Sequence, residues 1–518
     1  MRVLVFHGYL LRGTGSNIYN TSLAQAMRKL GHEVHLLCQD HHAADLQFVD
    51  AVGRWKDGRL RVETLREPVR CTVYLPDIGR VLPVYVPDAY EDFDAKPFLD
   101  LSEDELAHYL EANVAAVSEV TELAGPEVAL ANHAVMGPVV LRRGLAGRTP
   151  YAVKIHGSAL EYTVRRDPER YLPYAQEGVG GAAGVLVGSR HMAERLWELL
   201  PEVRERTRLG PPGVDLDEFR PVGPAGARTR LRALADRLEG ADAAGWGGEA
   251  GAADALRSLD PERDRIVSYV GKLIVSKGVD LLVAAWPLVV AEVPDARLCV
   301  VGFGTYREAI EALNDALGRG DLAAAREIAA RGRELEGGAP GELRHLAEFL
   351  DGLEGERRER YLAAAGDAAR RVRFTGRLEH DDLPDLLVAC EAQVVPSTFP
   401  EAFGMVAAEA AACGVLPLSA AHSGLAEVSA VLAPALDERL RPLLSFHVGP
   451  GAVEEIAAKL VEWLELPAEE RERAGAALAA TAAERFGWEH VAERVIAAAQ
   501  GRLDELPAAD AGSRPPLG

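Results

Sequence analysis

Short apolar runs, each closed by a turn and followed by a helical stretch, recur along this chain in two blocks. No other feature restricts the fold as much. Val3–His7 leads into a Gly-rich turn, Gly13-Thr-Gly15-Ser-Asn17, and then into a helical stretch. That stretch carries Ile18, Leu23, Met27 and Leu30 on one side, with Gly31 as its stop. Glu33–Cys38 follows and completes a strand–turn–helix–strand unit. Val128–Asn132, Tyr151–Ile155 and Gly184–Gly188 continue the first block. Ile266–Val270, Arg297–Val301, Val372–Thr375, Ala392–Pro396 and Val415–Ser419 form the second. Runs that are apolar throughout suit parallel strands covered on both faces. The chain has 518 residues, too many for one ordinary core. The expectation is α/β: two Rossmann-like domains, with ligands beyond the carboxyl ends of their strands.

Boundaries follow from composition. Residues 1–215 read as the first domain and 216–262, rich in Ala and Gly with Gly-Trp-Gly-Gly inside, as a linker with one or two loose helices. Residues 263–484 read as the second domain, interrupted at 306–370 by a helical, charged, Ala-rich insertion. The insertion reads as a helical subdomain or lid, with two roles left open: acceptor selection or oligomer contact, and a solvated decoration. A last helix falls within 485–503, and 504–518 reads as a flexible tail. Residues 60–100 hold Pro68, Pro76, Pro83, Pro87 and Pro97 and read as an irregular surface excursion.

The formal net charge of −22 opposes nucleic-acid binding. Of five scattered cysteines without a C-x-x-C pair, four sit in apolar or helical patterns and read as small buried hydrophobes, which fits a reducing, cytoplasmic setting. No run approaches the roughly 18 apolar residues that span a bilayer, and no basic amphipathic helix marks a membrane surface. Membrane association is expected to be absent or peripheral. The N-terminus turns polar too soon for a signal peptide and reads as a first buried strand.

Four segments carry chemistry. In Pro396-Ser-Thr-Phe-Pro-Glu401-Ala-Phe403-Gly404-Met405-Val406-Ala-Ala-Glu409, a strand ends in a polar loop and Gly404 opens a helix. Glu409 falls among alanines, where a carboxylate needs hydrogen-bond donors such as sugar or ribose hydroxyls. The helix start offers N–H groups to a phosphate. In Gly271-Lys272-Leu-Ile-Val-Ser-Lys277-Gly278, two cations follow a strand and suit a diphosphate. His156 and Gly157 follow the strand Tyr151–Ile155, where an imidazole can meet a sugar hydroxyl. Asn132-His133 ends a strand of the same domain and is placed toward the same cleft. The loop with Gly13, Gly15 and Asn17 lacks the G-x-G-x-x-G spacing, which disfavours a nicotinamide dehydrogenase. No Cys/His metal spacing occurs, and the pair Asp215-Leu-Asp217 is weak as a metal clamp. Arg165 reads either as a contact for an acidic acceptor or as a solvated arginine.

Together these segments resemble the family 4 glycosyltransferases, the retaining group with the two-domain GT-B fold. Glu401 to Glu409 looks like the family's E-x7-E signature, Lys272 and Lys277 its phosphate-binding pair, and Phe374-Thr-Gly-Arg377-Leu378 its base-binding loop. The resemblance implies two Rossmann-like domains facing across a cleft. It implies transfer of a hexosyl unit, with retention, from a nucleotide diphosphate sugar, UDP by family frequency, to a hydroxyl acceptor. It makes His156, Lys277 and Glu401 the catalytic set. Gly15, Lys272, Lys277, Arg377, Leu378, Glu401, Phe403, Gly404, Met405, Val406 and Glu409 would hold the donor. Asn17, His133 and Arg165 are the acceptor candidates. No cofactor and no metal is implied. The competing readings are a nucleotide-sugar 2-epimerase of similar fold and a non-catalytic nucleotide-sugar-binding protein.

Overall fold

The computed structural model describes residues 1–13, 15–86, 92–239 and 251–510. The chain divides into two compact units: Met1–Gly213 with the residues from Phe486 onward, and Val214–Arg485.

The first unit is built on a nine-stranded sheet: β1 (Arg2–Phe6), β2 (Glu33–Leu37), β3 (Ala51–Lys56), β4 (Arg59–Thr64), β5 (Cys71–Leu75), β8 (Val128–Asn132), β9 (Tyr151–Ile155), β10 (Gly184–Val187) and β11 (Thr207–Leu209). A separate ribbon pairs β6 (Val81–Val84) with β7 (Asp94–Pro97). The order across the main sheet is β11-β10-β9-β8-β1-β2-β5-β3-β4. All its pairings are parallel except β3 with β4. The helix Gly15–Lys29 buries Tyr19, Leu23, Ala24 and Met27 at three- and four-residue spacing. These pack with Val3, Val5, Leu36, Cys71 and, from the last helix Trp488–Ala499, Trp488, Val491 and Val495. All five cysteines are free and buried.

Residues 60–100 depart from expectation. Cys71-Thr-Val-Tyr-Leu75 is a fully buried strand wedged between β2 and β3. β-Branched and aromatic residues there outweigh the prolines on either side, which punctuate the run without entering it. The tail departs too: Leu209 N–H donates to Pro507 O at 2.9 Å and Ala508 bridges to Arg208, so Pro507 and Ala508 pair with β11, while 511–518 lie outside the described residues.

The second unit carries six parallel strands, β12 (Arg265–Val270), β13 (Ala296–Val301), β14 (Val372–Gly376), β15 (Ala392–Val395), β16 (Leu416–Ala420) and β17 (Ser445–Phe446), in the order β14-β13-β12-β15-β16-β17. The segment read as a linker is largely part of this unit. Helix Pro224–Glu239 buries Ala227, Leu231, Leu234 and Ala235, and its Arg237 pairs with Asp382 at 3.0 Å and Asp385 at 2.8 Å. Alanine and arginine richness masked an amphipathic helix; Gly-Trp-Gly-Gly lies outside the described residues. The insertion is helical at Arg307–Gly318, Leu322–Arg331, Arg344–Asp351 and Gly355–Arg370. Its last helix covers the apolar helix Val279–Glu292, where the Tyr361 hydroxyl donates to Ala284 O at 2.9 Å. Among the described residues no helix is long and apolar enough to cross a membrane.

Candidate functional site

In the second unit the chemistry-bearing loops all leave the carboxyl ends of parallel strands. The loop after β12 carries Lys272 and Lys277, that after β14 carries Arg377, Leu378 and His380, and that after β15 carries Glu401. Close backbone approach locks the first and third together. Gly278 has φ +65°, and a Cβ there would sit 2.0 Å from Pro396 O. Thr398 N–H donates to Ser276 O at 2.9 Å across the same seam. Gly302 similarly abuts Gly271 O, where a Cβ would come within 1.9 Å.

Lys277 Nζ forms an ion pair with Glu401 Oε1. Ser397 Oγ donates to the same oxygen at 2.6 Å. Burial opposes the charge on Glu401, but attraction to Lys277 and the bonds from Lys277 and Ser397 outweigh it and hold the carboxyl below its ordinary pKa. The backbone of Glu401 is fixed as well, its N–H donating to Ser423 Oγ at 2.8 Å. His422 completes the support. Its Nε2 lies 2.8 Å from Ser397 O, and a carbonyl can only accept, so Nε2 carries the proton. Nδ1 then accepts from the Ser423 hydroxyl at 3.0 Å. The structure thus joins Lys277 and Glu401 directly, although the resemblance assigns them to different parts of one ligand.

Gly404 caps the helix Met405–Ala412, as its sequence context predicts, and Val406 O accepts from Gln393 Nε2 at 2.8 Å. Phe403 is buried, its backbone pressed against Gly424. Glu409 is only 2% exposed, and its Oε1 lies 2.9 Å from His380 Nε2. Burial disfavours charge on His380, yet Glu409, Asp381 and Asp215 together raise its pKa above the ordinary imidazole value. Arg377 pairs with Glu379 at 3.2 Å and lies over the Phe303 ring at 5.1 Å, beside buried Leu378. Lys272 is exposed, and its carbonyl accepts from the Tyr269 hydroxyl at 2.9 Å. The insertion reaches this site: Glu336 Oε2 accepts from Val275 N–H at 2.8 Å, between the two lysines. That bond ties the insertion to the lysine loop.

The first unit holds a separate polar network. His7 Nδ1 accepts from Asn20 Nδ2 at 3.0 Å, and Asn20 Oδ1 accepts from Asn132 Nδ2 at 2.8 Å. Asn132 Oδ1 in turn faces His156 Nε2 at 2.8 Å. An amide oxygen only accepts, so His156 is protonated at Nε2 and Nδ1 is its acceptor nitrogen. Burial, reinforced by His133, Lys154 and His7, drives its pKa far below the usual value and keeps it neutral. Lys154, on the same strand, is buried against Tyr19 with its ammonium on Gly210 O, and burial lowers its pKa to about 7.

Two acceptor candidates are spoken for by internal bonds. Asn17 donates to Arg12 O at 2.6 Å and faces His7 Nε2 at 2.9 Å. Arg165 is held by Glu198 and the Arg195 carbonyl at 2.6 and 2.7 Å. His133 is buried with φ +70° between the rings of Tyr85 and His156. Around Gly15, at the helix start, a Cβ would meet open space, so no steric demand for glycine exists there. Asp215 is used locally, its Oδ1 accepting from Asp217 N–H at 3.0 Å.

Sequence reading missed His380, Ser397, His422, Ser423 and Glu336. Only Ser397, inside the Pro396–Glu409 segment, stood in a motif already singled out; the others signal nothing until the chain path brings them in.

Residues 14–213 match the family model described as "Glycosyl transferase 4-like domain", and 349–479 match "Glycosyl transferases group 1". The lysine loop lies between the two matches. A GDP-mannose-dependent monoacylated alpha-(1-6)-phosphatidylinositol monomannoside mannosyltransferase of Corynebacterium glutamicum is 27% identical over 44% of this chain and 45% of its own length. A D-inositol 3-phosphate glycosyltransferase of Xylanimonas cellulosilytica is 29% identical over 62% of this chain and 58% of its own. The chain thus spans about half the length of the curated relatives it matches. Among solved structures, sucrose-phosphate synthase from Thermosynechococcus elongatus superposes with TM-score 0.56 at 21% identity, covering 97% of this chain and 98% of the other. The fold is therefore GT-B, with two Rossmann-like α/β units. Within that class the chain belongs to the family 4 type of glycosyltransferases.

Proposed function

We propose that this chain transfers a hexosyl unit from a nucleotide diphosphate sugar to a hydroxyl acceptor, with retention of configuration. One observation carries the proposal. A lysine loop, a cradled carboxylate at Glu401 and a buried carboxylate at Glu409 gather at the carboxyl ends of β12 and β15 in one unit. Lys272 and Lys277 supply positive charge for a leaving diphosphate, so stabilisation of that group is electrostatic and needs no metal. Glu401, released from Lys277 by the arriving diphosphate, turns to the donor sugar, and Glu409 takes the ribose. His156, neutral and oriented by Asn132, offers Nδ1 to a sugar hydroxyl.

Uridine is the base we assign, by the frequency of UDP-sugars among family 4 enzymes; the GDP-mannose dependence of the Corynebacterium relative makes guanosine the rival. The five buried thiols suit the reducing cytoplasm. Thermal shift with UDP, GDP and ADP tests the donor. A nucleotide at 100 times its Kd adds about 2.7 kcal/mol. Transfer from the matching labelled sugar, in EDTA, with the anomer of the product read by NMR, tests the chemistry. Absence of any nucleotide-dependent shift, or an inverted product, overturns the corresponding part.

A further inference from the structure

Assigning the ribose to Glu409 leaves a physical problem. A carboxylate with 2% exposure, on a helix flanked by Ala407, Ala408, Ala410 and Ala411, has to be oriented by a donor before any ligand arrives. His380 is that donor. Its Nε2 stands 2.9 Å from Glu409 Oε1, and its ring is itself held 5.2 Å from the Phe219 ring. It begins the short turn His380–Asp382, three residues after Arg377, so the loop expected to hold the base also carries the group that orients the carboxylate.

We infer that His380 is a positioning residue that fixes Glu409 through Oε1, leaves Oε2 to the ribose diol, and so sets the preference for ribonucleotides over deoxyribonucleotides. The inference rests on the reading of Glu409 as the ribose ligand. A diol is recognised by an acceptor oxygen in one direction. Once the His380 bond is lost, the carboxylate turns away and the hydroxyl that distinguishes the two nucleotides loses its partner.

The test is calorimetric binding of UDP and 2′-deoxy-UDP, with GDP and 2′-deoxy-GDP in parallel, to the full chain and to His380→Ala and His380→Gln. The wild type should bind the ribonucleotide at least ten-fold more tightly than its deoxy form. His380→Ala should reduce that ratio below three-fold while binding of the deoxy form barely changes. His380→Gln keeps a donor and should retain most of the preference. A merely structural role would weaken both nucleotides alike. If His380→Ala does not fold, His380→Asn, whose amide is too short to reach, carries the same comparison. A wild type without ribose preference overturns the reading of Glu409. A wild-type preference that survives in His380→Ala overturns the role of His380 alone.

Discussion

Replacing Gly278 by alanine asks two things of a backbone that has room for neither. The residue sits at φ +65°, a conformation that costs an L-residue roughly 1–2 kcal/mol. The new methyl would also stand 2.0 Å from Pro396 O and 3.1 Å from Thr398 Cγ2. Carbon and oxygen do not approach within about 3 Å, so the lysine loop and the loop of Glu401 must part by about 1 Å. That movement breaks the bond from Thr398 N–H to Ser276 O and draws Lys277 from Glu401. The expected loss of stability is about 2–3 kcal/mol, the backbone strain plus one net hydrogen bond. A shift of about 1 Å in a group that positions the reacting phosphate costs on the order of 100-fold in rate, or about 2.7 kcal/mol. The assay is kcat/KM for donor in labelled-sugar transfer, beside urea denaturation. Gly320→Ala is the control, since Gly320 has φ +72° but only Leu362 Cδ2 at 3.7 Å; it should lose stability and keep its rate. If Gly278→Ala retains kcat/KM within three-fold, the claim that this seam positions Lys277 is wrong.

Lys277→Ala should lower kcat at least ten-fold with circular dichroism unchanged; undiminished turnover removes Lys277 from the leaving-group role. Because the Glu401 carboxyl is held below its ordinary pKa, its ion pair stabilises the fold above the unfolded value of about 4.3 and is lost as pH falls through the folded value. The urea midpoint of the wild type should therefore exceed that of Glu401→Gln at pH 6 and converge with it toward pH 3. Removing Glu336 with alanine should raise the donor KM about five-fold by loosening the turn at Val275, with kcat within two-fold; an unchanged KM returns the insertion to a covering role. Lys154 titrates near 7 when folded and near 10.4 when unfolded, so its burial costs stability below pH 10 and costs most at or below pH 7. Lys154→Met should be more stable than the wild type at pH 7, by up to about 4 kcal/mol, with the gap closing as pH approaches 10; a gap independent of pH would refute that origin.

Much of this protein was written locally. Val/Ile/Leu runs such as Val3–Phe6 and Ile266–Val270 could be read as buried parallel strands because apolarity on both faces is a property of the run itself. Gly404 as the start of a helix, and Leu23 and Met27 as the inner face of Gly15–Lys29, follow from spacing alone, whereas Leu30, read onto the same face, is exposed beyond the helix end. The motif residues Lys277 and Glu401 could be named one by one for the same reason. Their meeting could not, since 124 positions separate them and a carbonyl-to-glycine seam brings them together. His380 beside Glu409, 29 positions away, and Glu336 on Val275, 61 positions away, belong to the same class. So does the strand Cys71–Leu75, whose flanking prolines disguised it until β2 and β3 closed on either side. Periodicity and turn chemistry act over a few residues and leave their mark in the sequence. Which carboxylate faces which cation is decided by the path of the chain between them, and for Lys277 and Glu401 that path exists only once the six-stranded sheet of the second unit has formed.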